Sequence, residues 1–115
     1  MRVTALATAK PCELSVIIPV HNEAENVEPL HGELAAVMRG LGRPYEVVFV
    51  DDGSTDGTAA RIAALAAEDR QVKLVQLLRN YGQTAAMMAG IDYAGGDFVL
   101  VEQRHRRAHL RQHNA

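Results

Sequence analysis

Four short runs of β-branched and aliphatic residues recur along this 115-residue chain, each closed by a polar segment and separated by stretches with apolar residues at three- and four-residue steps. No other feature constrains the fold as tightly. Leu14 to Val20 (LSVIIPV), Tyr45 to Val50 (YEVVFV), Val72 to Leu77 and Asp97 to Val101 read as strands. Between the first two, Val27, Leu30, Leu34, Val37 or Met38, and Leu41 form a helical stripe, with Asn26 as N-cap and Pro29 in the first turn. Thr55 or Asp56 is expected to cap the next helix, which turns Ile62, Leu65 and Ala66 inward. A third helix over Gln83 to Ala94 presents Ala86, Met87, Gly90, Ile91 and Ala94. Strands joined by crossover helices must run parallel, so the expectation is an open α/β sheet, Rossmann-like, with four parallel strands and crossover helices.

Composition removes several classes of function. Lys plus Arg total 12 against 14 Asp plus Glu, a formal net charge of −2, so no basic field points to nucleic acid. One cysteine, Cys12, can build neither an internal disulfide nor a Cys-based zinc site, and it fits a reducing, cytoplasmic setting. The apolar runs fall far short of the roughly 20 residues of a membrane helix. Cys12 itself reads as an inert thiol, and Met87 and Met88 as core filler.

In open α/β sheets ligands bind beyond the carboxyl ends of the strands. Those ends carry no G-x-G-x-x-G after the first strand and no P-loop anywhere, so neither a dinucleotide nor a triphosphate finds its usual backbone cradle. They carry carboxylates instead: Glu23 after the first strand, Asp51 and Asp52 after the second. Carboxylates accept from ring N–H groups and ribose hydroxyls, which favours a nucleoside held by base and sugar. The same Asp pair also reads as an Asx-turn capping the next helix, and Arg79 as a solvated loop charge. A phosphoacceptor domain using Asp51 is disfavoured, since it would also expect acidic residues after its first strand and a lysine near its last.

Three ordered segments, SVIIPVHNEAENV, VVFVDDGSTDGT and LLRNYGQTAAMMAGIDYAGGDFVLV, resemble the start of a family 2 glycosyltransferase. The likeness spans Leu14 to Val101 and is to bacterial polyprenyl-phosphate sugar transferases and dolichyl-phosphate mannosyltransferases. It implies a partial glycosyltransferase-A fold that binds a nucleotide-sugar donor, a uridine or guanosine diphosphate sugar, and serves a lipid-phosphate acceptor in full-length, membrane-associated relatives. By that resemblance Pro19, His21 and Glu23 line the nucleoside pocket, Val50, Asp51 and Asp52 contact base and ribose, and Arg79, Asn80 and Gly82 shape the next wall. No acid–base role falls to His21, and no catalytic residue is assigned.

The family's next element is an Asp-x-Asp motif that holds Mg²⁺ or Mn²⁺. Here the chain reads Val101-Glu102-Gln103-Arg104, so no metal ligand set and no cofactor is expected in this chain. The expected organisation is a leader over residues 1–13, a nucleotide-sugar-binding part over 14–101, and a basic, His-rich tail over 102–115. That tail, with one leucine as its only large apolar side chain, is expected to be disordered. His105, His109 and His113 stand four apart in it, a spacing that invites adventitious metal. The function expected is a glycosyltransferase domain inactive in this chain, with a non-catalytic nucleotide-binding or interaction module as the alternative. Self-association through an unfinished sheet edge is also expected.

Overall fold

The computed structural model describes residues 3–6, as backbone, and 12–102. The tail from residue 103 onward, with its histidines, lies outside the described residues. The elements are β1 (Val3–Leu6), β2 (Cys12–Val20), α1 (Val27–Leu41), β3 (Tyr45–Asp51), α2 (Thr58–Glu68), β4 (Val72–Leu77), α3 (Gln83–Tyr93) and β5 (Gly96–Val101). A 3-10 turn over Ala24–Asn26 precedes α1.

The strands form one sheet in the order β1-β4-β3-β2-β5. β2, β3, β4 and β5 run parallel, with Val16 beside Val47 and Leu100, and Val50 beside Val75. The near-continuous apolar runs of β2 and β3 follow from burial on both faces. On one face Val16, Ile18, Val47, Phe49 and Leu74 pack under Val27, Leu30 and Met38 of α1 and Ile62 of α2. On the other, Ile17, Val48, Val50, Val75 and Leu77 pack under Ala86 and Ala89 of α3. Small residues let α3 sit close: a Cβ on Gly90 would overlap the Cγ2 atoms of Ile17 and Val50.

Several expectations change in detail. Residues 3–6, read as leader, form β1, which pairs antiparallel with β4, and β2 begins at Cys12 rather than Leu14. On α1 the buried stripe runs through Met38, while Val37 and Leu41 are exposed. Asn26 occupies the cap position without a side-chain cap hydrogen bond. On α3 Ala89 joins Ala86 and Gly90 in the buried face, whereas Ile91 and Met88 stand exposed.

The amino ends of the strands share a buried polar anchor. Glu46, fully buried, lies 3.2 Å from Lys73 Nζ and accepts from Ser15 Oγ at 2.5 Å and Gly95 N–H at 2.6 Å. Gly96 N–H donates to Ser15 Oγ, and Lys73 Nζ to the Tyr93 carbonyl, so the turn between α3 and β5 is tied to β2, β3 and β4. Burial, with the Glu46 charge second, pushes the Cys12 thiol above its ordinary range and away from reactivity.

Candidate functional site

The opposite, carboxyl end of the sheet is shaped by backbone groups that helices and strands leave over. β3 ends at Asp51, Asp52 follows it, and the chain then turns sharply at Gly53, whose φ is +69°. A Cβ there would collide with the peptide joining Arg79 to Asn80, so the residue suits the loop both by its backbone angle and by its missing side chain. Asp52 completes the junction: its Oδ1 accepts from Tyr81 N–H at 2.8 Å and its Oδ2 from Gly82 N–H at 3.0 Å. One carboxylate thus holds the loop between β4 and α3.

The turn after β2 is held in a similar way. Asp56 accepts from Thr58 N–H and Oγ1–H, and from Ala24 N–H at 3.3 Å. The Thr58 hydroxyl bond is the main reason its carboxyl lies below the ordinary range. Thr58 Oγ1 in turn accepts from Glu23 N–H at 3.0 Å. Asn22 N–H donates to Ser54 Oγ, and Asn22 Oδ1 accepts from Thr55 N–H at 2.8 Å. His21 joins the loops: its Nδ1 is 2.8 Å from the Asp52 carbonyl oxygen, and its Nε2 is 3.0 Å from Asn80 Nδ2 and 3.3 Å from Asn22 Nδ2.

These loops enclose an open cleft of about 270 Å³, lined by Pro19, Val20, His21, Glu23, Asp52, Asn80, Gly82 and Gln83. Six of the nine residues proposed from the sequence therefore meet there: Pro19, His21, Glu23, Asp52, Asn80 and Gly82. Val50 is packed in the core beneath α3 and Asp51 is fully buried at the end of β3, and neither is among the lining residues. The Arg79 guanidinium stacks on the Tyr81 ring at 4.9 Å and is not among the lining residues. Gln83 and Val20 line the cleft without having been singled out. Gln83 stands inside the R-N-x-G-Q-T phrase, so the signal for it was present.

Asp51 differs sharply from its neighbour. Neither of its carboxylate oxygens has a well-aligned hydrogen bond. Burial pushes its carboxyl above the ordinary value of 3.8; the hydroxyl and N–H of Ser54 and the His21 ring pull the other way without cancelling it.

Among the described residues no three His, Cys, Asp or Glu side chains gather where they could hold a metal ion. Glu102 is the one carboxylate at the carboxyl end of β5 on the described chain, where its N–H donates to the Ile17 carbonyl at 2.8 Å. A single carboxylate leaves most of the oxygen shell of Mg²⁺ or Mn²⁺ to substrate phosphates and water. No helix among them is long and apolar enough to cross a membrane.

Known proteins resemble this chain in sequence and in fold. An uncharacterized glycosyltransferase of Synechocystis sp. is 43% identical over 88 residues, which are 76% of this chain and 28% of that protein. The dodecaprenyl-phosphate galacturonate synthase of Rhizobium johnstonii is also 43% identical over 88 residues, 26% of its length. The chain thus spans about a quarter of these relatives. A mannosyltransferase from Pyrobaculum calidifontis, solved in complex with GDP-Man and Mn²⁺, superposes with a TM-score of 0.63 at 28% identity, covering 82% of this chain and 28% of that one. The parallel sheet and its helices are those of a glycosyltransferase-A structure in part. With residues 15–101 matching the family model as well, the chain belongs to glycosyl transferase family 2.

Proposed function

We propose that this chain supplies the nucleoside-binding part of a sugar-transfer site, taking a uridine or guanosine diphosphate sugar by its base and ribose. The observation that carries the reading is the cleft itself, where Glu23 and Asp52 stand at the carboxyl ends of adjacent parallel strands. Carboxylates so placed accept from ring N–H groups and sugar hydroxyls. The relative from Rhizobium johnstonii supports a polyprenyl phosphate as the acceptor class served by longer proteins of this kind. The single cysteine supports a reducing, cytoplasmic setting.

On this reading the 115-residue chain binds but does not transfer. Departure of a nucleoside diphosphate needs positive charge beside it, and Glu102 offers one carboxylate where the family's Asp-x-Asp offers two. That shortfall favours a nucleotide-binding module as the second reading.

Calorimetry with uridine and guanosine diphosphates tests the site. Asp52→Ala removes a charged acceptor and also releases Tyr81 and Gly82 N–H, so any measured affinity should fall at least about tenfold. Equal affinity for wild type and variant refutes the assignment. Turnover of a labelled sugar onto polyprenyl phosphate by the purified chain would refute the absence of transfer.

A further inference from the structure

We infer that His21 is a positioning residue that acts through Asn80, setting that amide so that it presents an acceptor rather than a donor to the cleft. The inference deepens the nucleotide reading, and its ligand consequence rests on it.

Two backbone groups fix the polarity from opposite sides. The Asp52 carbonyl oxygen can only accept, so the Nδ1 of His21 at 2.8 Å carries the hydrogen. A neutral imidazole has one N–H, and Nε2 is therefore the lone-pair nitrogen. Independently, Thr55 N–H can only donate, and Asn22 takes it on Oδ1 at 2.8 Å. That bond turns Asn22 Nδ2 toward His21 Nε2 at 3.3 Å, again requiring an acceptor there.

With Nε2 an acceptor, Asn80 must offer its Nδ2, which lies 3.0 Å away. The Asn80 oxygen is then left to the cleft that Asn80 helps line. The opposite tautomer would turn the amide over and present an NH₂ group instead. An outward Asn80 oxygen presents an acceptor, which suits a ligand edge with a ring N–H or hydroxyl donor and opposes one made of acceptors. His21 thereby influences donor preference through the amide it holds.

Nitrogen-15 correlation spectra of the histidine-labelled full chain at neutral pH, assigned with His21→Phe, test the polarity directly. The expected pattern is a protonated Nδ1 and an unprotonated Nε2; the reverse overturns the inference. In His21→Phe the Asn80 side-chain amide protons should move to the shifts of a solvated asparagine, and unchanged shifts also overturn it. Titration with uridine and guanosine diphosphates should show His21→Phe weakening affinity roughly three- to tenfold, with no further loss in an Asn80→Ala background. Additive losses overturn action through Asn80. A wild-type chain that binds neither diphosphate overturns the nucleotide reading, while the spectra still decide the tautomer.

Discussion

Asp51 and Asp52 are chain neighbours with opposite environments, and the alternation of a strand is the cause. Val50 faces α3, so Asp51 points to the face that α1 and α2 cover, and Asp52, past the strand end, reaches the next loop. Burial makes Asp51 prefer its proton. Because its folded value lies above the ordinary 3.8, its contribution favours folding at low pH and is lost as pH rises through the folded value. Asp51→Asn carries no charge to desolvate, so its thermal midpoint should exceed that of wild type at pH 7 and the difference should shrink toward pH 4. Paired melting curves across that range check both the sign and the trend. The role of Asp52 was only half legible. A strand-end carboxylate marks a ligand-facing position, but its partners Tyr81 and Gly82 stand 29 and 30 residues downstream, and nothing local announces a bond to backbone that distant.

At the scale of elements, the parallel strands were legible because burial on both faces leaves an unbroken apolar run that few other environments would produce. β1 was not. Val3–Leu6 is short and lacks a periodic partner, and it becomes a strand because β4 leaves an edge for it. The face of α3 was legible at Ala86, Gly90 and Ala94 but not at Ala89 or Ile91: small and apolar residues surround that helix, so spacing alone does not select a side. Gly90 supplies the test. Alanine in a helix interior gains about 1 kcal/mol over glycine, yet here its Cβ would overlap two stiff β-branched side chains, and overpacking costs about 1–3 kcal/mol. Gly90→Ala should therefore be net destabilising. Gly32 on α1 has no atom within 4 Å of where a Cβ would sit, so Gly32→Ala should stabilise by about 0.5–1 kcal/mol. Urea unfolding of the pair separates packing from propensity, and equal signs for the two variants would contradict the account.

Over the whole molecule, the two edges of the sheet are unlike. Each hydrogen-bonds on one side only in the described sheet, but β1 is four residues long and antiparallel to β4, from Val3 beside Leu77 to Leu6 beside Leu74, whereas β5 is six residues long and parallel to β2. β5 carries neither proline nor lysine, the residues that usually blunt an edge, and Asp97 is its one charge. Phe98 lies beside Leu14 and Leu100 beside Val16, so both face the side of the sheet that α1 covers, and they are 67% and 54% exposed. On α1, Glu28 and His31 pair with Arg61 and Asp69 toward α2. The helical wheel then turns Val37 and Leu41 to the other flank, where they are 60% and 55% exposed. Phe98 and Leu100 make an apolar strip along β5, and the self-association expected from the sequence would lay a second copy's β5 on this edge. Concentration-dependent association is the expected behaviour in sedimentation velocity. Phe98→Lys should shift the chain toward monomer while changing folding stability by no more than about 0.5 kcal/mol, since the side chain is mostly in water already. A wild-type chain that stays monomeric over the accessible concentrations, or a Phe98→Lys variant that associates as strongly as wild type, would remove the strip as the cause.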